Sequence, residues 1–253
     1  VPVYRSLFIS HGAPSLPLSD EPTRGFLIEL GKSLPPPRGL IVISAHWQLP
    51  GFIAKTAPQY EAWHDFYGFP DELYRLRYEP RGDAVLGQRV ADALASVNIA
   101  APLVNEKKID HGVWVPLLLM WPQADVPLVQ LSLGRADPAV HFQVGRALRV
   151  LAEEGYLVIG SGGFVHNLRE WMMGTLAPGW AADFEGWMTR HLEAGDWEAL
   201  CDYRRQAPQA TRAHPTDEHL LPLFVAGGAG GAAELLHGGS DSQGLGMACF
   251  GFR

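Results

Sequence analysis

The sequence predicts an α/β protein: a single domain over residues 1–253, with a central, mostly parallel or mixed sheet flanked by helices. Three observations lead there. Short apolar runs of strand length alternate with segments of helical periodicity. No composition shift, long linker or internal repeat divides the 253 residues, a length that one large α/β domain can fill. Hydrophobic residues make up 47% of the chain and charged residues 19%, a balance that can bury a core.

In chain order, Leu7–Ser10 is an apolar run with the character of a buried strand. Gly31 stops a helical stretch, and Pro35-Pro36-Pro37 forms a stiff surface connection into a second buried strand, Leu40–Ser44. Over Asp83–Val97, the residues Leu86, Val90, Leu94 and Val97 share one helical face. The apolar run around Val113–Trp121 is broken by Pro116, and Val126–Leu133 is a third strand. A helix over Pro138–Glu154 opens on Asp137 as N-cap with Pro138 at its first position, and stops at Gly155. Tyr156–Ser161 is a fourth strand and Asp183–Leu192 a helix. Asp217–Val225 is a helix that Pro222 shortens or kinks, and Gly244–Phe252 is a late strand.

Charge and cysteine usage exclude several classes. Lys and Arg number 20 against 27 Asp and Glu, a net charge of −7. A well-mixed acidic chain lacks the clustered positive charge that nucleic acid or an anionic membrane requires. No run reaches the roughly 18–20 apolar residues of a membrane-spanning helix, and no signal-peptide pattern is present. A cytoplasmic protein with no nucleic-acid or membrane partner is expected. Two distant cysteines against ten histidines exclude a disulfide scaffold and a four-cysteine zinc site. A metal, if held, falls to His and carboxylate.

The histidines fall where such a site would form. His11 follows the first strand, His46 the second, and His166 comes shortly after the fourth. In open α/β sheets ligands bind at the carboxyl ends of strands, and three imidazoles delivered to that edge can converge on one metal such as Fe, Zn or Cu. Gly12 and Gly162-Gly163 beside them permit close backbone approach to a ligand. His64-Asp65 lies in an aromatic segment, Trp63–Pro70, that either closes a site or packs as a structural loop. Asp110 either caps the helix that follows or orients His111. Glu218 and His219 are adjacent, so only one of them faces a metal from a helix. His141, His191, His214 and His237 have no such context and count as packing or surface residues. There is no dinucleotide fingerprint, P-loop, Gly-x-Ser-x-Gly elbow or His-Glu-x-x-His motif.

Several segments together are more specific than any one. Ser10-His11-Gly12-Ala13-Pro14, Ser44-Ala45-His46-Trp47 and His64-Asp65-Phe66-Tyr67-Gly68-Phe69-Pro70 are followed by Asp110-His111-Gly112-Val113-Trp114 and Pro127–Ser132. Val165-His166-Asn167-Leu168-Arg169 and Pro215-Thr216-Asp217-Glu218-His219-Leu220-Leu221-Pro222 complete the series. In this order they resemble the 4,5-DOPA extradiol dioxygenases, the LigB-like branch of the class III ring-cleaving dioxygenases.

The resemblance implies a non-haem metal at the strand ends of one LigB-like catalytic domain. It implies His11 and His46 as ligands and His219 as the third. His166 matches a histidine beside the metal, a proton-transfer residue or a fourth ligand, and His111 matches one near substrate. Catechol-cleaving relatives use a carboxylate third ligand, where this chain offers His219 beside Glu218. An all-His set is neutral and also suits Zn(II). The implied reaction opens a substituted catechol, DOPA- or caffeate-like, with O2 next to its diol, giving a yellow muconic semialdehyde. Fe(II) is expected for activity, because zinc has no accessible redox chemistry. His166 is expected as acid/base and His111 as its substrate-contacting partner. His64, Asp65, Phe66 and Trp47 are expected to line the substrate pocket, with Arg77 or Arg169 available to a substrate carboxylate. The alternative is a zinc-dependent hydrolase on the same scaffold.

Overall fold

Both faces of the strongest strands are apolar, so the sheet needs helices on each side. Along Leu40–Ile43, Leu40 and Val42 enter one core while Ile41 and Ile43 enter the other. The computed structural model describes residues 3–175 and 178–253. In it the first face packs on the helices Pro22–Ser33 and His111–Met120, and the second on Ala84–Ala95, Pro138–Glu153 and Leu221–Ala229. The result is a helix–sheet–helix sandwich.

The strands are β1 (Ser6–Ser10), β2 (Leu40–Leu49), β3 (Ala54–Lys55), β4 (Glu61–Ala62), β5 (Leu103–Val104), β6 (Lys108–Ile109), β7 (Leu128–Gly134), β8 (Leu157–Gly162), β9 (Ala233–His237) and β10 (Cys249–Phe252). Eight of them form one mixed sheet in the order β5-β3-β7-β2-β8-β1-β10-β9, while β4 and β6 pair separately. The four strands expected from apolar runs are its centre, β7-β2-β8-β1, and are mutually parallel. Their carboxyl ends therefore share one edge.

Several expectations shift. β2 runs past Ser44 to Leu49, with its pairing to β7 interrupted between Ile43 and Gln48. That irregularity, a usual way to re-aim side chains near a site, lifts Ser44–Trp47 out of the β7 ladder, while Ser44 still pairs with Ser161 of β8. Only Cys249–Phe252 of the late strand joins the sheet; Gly244 to Ala248 is loop, with isolated bridges from Gly246 to Val165 and Ser240. Asp83 caps its helix through its side chain, accepting from Leu86 N at 2.8 Å, whereas Asp137 caps through its backbone alone. Pro222 does not kink a helix: it sits in the first turn of Leu221–Ala229, where its missing N–H costs nothing. Pro116 lies inside the helix His111–Met120 without ending it.

Candidate metal centre

Five histidines meet at the shared strand edge. His11 leaves β1 with its backbone N–H still bonded to Gly162 O at 3.0 Å. His46 stands on the irregular stretch of β2, and His11 Nε2 lies 3.0 Å from His46 Nε2. His219 arrives from the second core because β8 ends in glycine. A Cβ on Gly160 or Gly162 would sit 2.1 Å from Pro222 O or 2.0 Å from His219 O. The 219–222 segment therefore lies directly on the strand, and Gly163 N donates to His219 O at 2.9 Å. The close approach that these glycines permit is to backbone.

The rings of His11, His46 and His219 form a triangle with centroid separations of 5.0, 5.6 and 4.9 Å. His111 adds a fourth ring 4.0 Å from His46, and His166 stacks on His219 at 3.3 Å and 8°. Two groups have ligand atoms within 4.8 Å of one another: His11, His46 and His111, and His166, Glu218 and His219. His219 Nδ1 bonds Glu218 at 3.2 Å, while its buried Nε2 has no partner. A buried, unpartnered imidazole nitrogen beside two others is the donor chemistry of a metal site.

The electrostatics favour neutral imidazoles, the form that binds metal. Burial, reinforced by neighbouring histidines, holds His11 and His219 well below the ordinary histidine range. Burial pushes His46 down to about 4 and His166 to about 3.

Carboxylates organise the surroundings. Asp65 accepts from both His111 N at 3.0 Å and His111 Nδ1 at 2.9 Å. Burial alone would raise the Asp65 carboxyl; the His111 hydrogen bonds outweigh it and hold it below its usual value. Asp110 makes neither of the side-chain contacts open to it from sequence. It is buried and accepts from Ser44 Oγ at 2.5 Å and Gln130 Nε2 at 2.6 Å, while its backbone carbonyl takes the first helical N–H groups.

A cavity of about 220 Å³ opens onto the cluster, reaching His11, His46, His111, His166 and His219. Its apolar wall is Phe69, Leu168, Trp171 and Leu245. The residues expected there from sequence take other places. His64 packs among Phe66, Tyr74 and Trp114, and Phe66 sits edge-on to His111 as support for it. Asp65 acts through His111, and Trp47 lies under the Lys55 ammonium at 4.1 Å. Neither Arg77 nor Arg169 lines the cavity among the described residues. Phe69 was within reach of sequence reasoning, as part of the aromatic segment. Trp171 and Leu245 had no local signal, since loops far apart in sequence bring them together. Of the four background histidines, His141 and His214 are fully buried, and His191 and His237 are partly buried and bonded to Asp196 and Thr23.

The fold and this cluster define a class. Over residues 7–253 the chain matches the family described as the catalytic LigB subunit of aromatic ring-opening dioxygenase, and it belongs to that family of metal-dependent extradiol enzymes. Among its relatives is the 4,5-DOPA dioxygenase extradiol of Portulaca grandiflora, 39% identical over an alignment of 260 positions that covers 98% of this chain and 95% of that protein. Proteins of the same name from Beta vulgaris and Escherichia coli K12 are 37% and 36% identical, covering 94% and 88% of this chain and 92% and 84% of their own lengths. The crystal structure of an uncharacterized Escherichia coli K12 protein superposes with a TM-score of 0.81 at 30% identity, covering 98% of this chain and 99% of the other. No described helix is long and apolar enough to cross a membrane.

Proposed function

We propose that this chain is an Fe(II)-dependent extradiol dioxygenase that opens a substituted catechol, DOPA- or caffeate-like, with O2. The observation that carries the reading is the His11–His46–His219 triangle beside an apolar cavity, with the buried His219 Nε2 unpartnered. These three imidazoles would hold the metal, and His166, stacked on His219, stands as a fourth candidate. Bound Fe(II) would supply the electron path between triplet O2 and a singlet catechol; an all-imidazole set also accepts Zn(II), which lacks that chemistry.

The remaining steps belong to the chain's own residues. Phe69, Leu168, Trp171 and Leu245 sandwich an aromatic ring and keep water from its reacting edge. With Nδ1 committed to Asp65, His111 turns Nε2 to the cavity, where it takes a phenolic proton and returns it to the opening product. The Asp65 carboxylate holds the ring and balances the imidazolium that forms. His166 is pushed down to about 3 and stays neutral. His166, neutral beside the metal site, is the second candidate for the proton-carrying role expected of it. The alternative of a zinc hydrolase has no comparable support, since the relatives are named as dioxygenases.

Anaerobic Fe(II) loading followed by catechol addition tests the reading. O2 uptake and a growing yellow absorbance are expected. No turnover across a panel of substituted catechols would overturn it.

A further inference from the structure

Pro116 lies inside the helix His111–Met120, so the Gly112 carbonyl four residues earlier has no helical N–H to accept. The carbonyl is fixed in place, because a Cβ on Gly112 would meet Ser44 Oγ at 2.3 Å and no room remains for the helix start to shift toward β2. Ser161, at the end of β8 and fully buried, donates its hydroxyl to Gly112 O at 2.5 Å. Ser161 Oγ also lies 2.9 Å from His11 Nδ1.

A hydroxyl has one hydrogen. With that hydrogen on the Gly112 carbonyl, Ser161 Oγ can only accept from His11. His11 Nδ1 then carries the ring hydrogen and Nε2 is bare. Nε2 is the atom that faces His46 Nε2 at 3.0 Å. We propose that Pro116, through the Gly112 carbonyl and the Ser161 hydroxyl, sets the His11 tautomer that presents Nε2 as a metal donor. Pro116 and Ser161 are positioning residues, and their effect on metal rests on the reading of His11 as a ligand. The proline is disfavoured by the helix alone, and here its missing N–H is what leaves a carbonyl for Ser161.

Histidine 15N NMR on the metal-free, full-length chain reads the tautomer directly. Wild-type His11 is expected to carry its hydrogen on Nδ1. Pro116→Ala returns an N–H to the Gly112 carbonyl and frees the Ser161 hydrogen to turn toward His11. An Nε2–H population should then appear, and Co(II) affinity should fall about 10-fold, within the range typical for groups that orient ligands. Thermal stability should hold or rise, since Ala is the better helix residue. Weaker metal binding in an equally stable variant is not the signature of a merely structural proline. Ser161→Ala should weaken Co(II) by about 10–100-fold. His11 carrying its hydrogen on Nε2 in the wild type overturns the proposal, as does a Pro116→Ala variant with unchanged tautomer and affinity. If Pro116→Ala fails to fold, the wild-type spectrum alone decides. Stoichiometric Co(II) retained by His11→Ala would instead defeat the ligand assignment and leave the tautomer result standing.

Discussion

The two walls of the histidine cluster are built by different means. His11, His46 and His111 stand on β1, β2 and a helix start, and buried side chains tie that wall together: Ser161 to His11, Ser44 and Gln130 to Asp110, Asp65 to His111. His166, His219, Trp171 and Leu245 come from loops and short helices. There the ties are mostly backbone bonds, such as His166 N to Ala213 O and Gly163 N to His219 O. In the loop around Asp241, backbone bonds such as Asp241 N to Leu245 O and Met247 N to Gly239 O are joined by the Asp241 carboxylate, which accepts from Gln243 N, Leu245 N and Trp171 Nε1 at 2.9, 2.8 and 3.3 Å. In the proposed reading the strand wall carries two of the three ligands and the proton carrier, while the loop wall adds His219 and the apolar side chains that would face a substrate.

That contrast can be broken experimentally. The largest effect is expected on the strand wall: His46→Ala should lose stoichiometric metal by elemental analysis and essentially all turnover, and retained metal would contradict its place as a ligand. His111→Ala should keep metal while kcat falls by about 10²–10⁴-fold, the range of a lost acid/base group. Asp65→Asn should lose a smaller part of kcat with metal again retained, since the ring keeps a weaker partner. On the loop wall, Asp241→Ala should raise KM several-fold by releasing Trp171 and Leu245, with kcat and metal content little changed. A kcat loss as large as that of His111→Ala would erase the distinction between the walls.

The last effect, on stability and not on turnover, concerns Glu185, whose Oε1 lies 2.3 Å from where a Cβ on Gly246 would stand, behind the same loop. Burial pushes its carboxyl up from 4.5 to about 7. The folded state thus keeps a proton that the unfolded chain releases between those values. The associated stability is fully present below pH 4.5 and is lost as pH rises through about 7. Glu185→Gln should remove that loss, a difference of roughly 2–3 kcal/mol above pH 7 after allowance for partial exposure. Urea melts of both proteins at pH 5 and pH 8 would show whether the stability difference opens between them.

Much of the fold was legible because its signals are local. Buried parallel strands read as short apolar runs, and all four found that way form the centre of the sheet. The same locality placed His11 and His46 at strand ends. Element boundaries were less legible: nothing in Ser44–Leu49 announces a strand that resumes after an irregularity. Gly244–Ala248 has strand-like spacing yet serves as loop, because its backbone partners are scattered: residues 164 and 165 on one side, and Gly239 and Asp241 on the other.

The sequence by itself determined the four central strands and the main helices between them, the histidines delivered to one edge and the family they resemble, since each depends on residue type and short-range periodicity. Tertiary structure decided which groups meet. Asp65 reaches His111 across 46 positions and Ser161 reaches His11 across 150. Gly160 and Gly162 admit the segment that carries His219. Pro116 reads along the chain as a break in an apolar run; in the fold, the Gly112 carbonyl one turn before it accepts from the buried Ser161 of β8. A hydrogen bond depends on distance in space, and spacing along the chain does not report that distance.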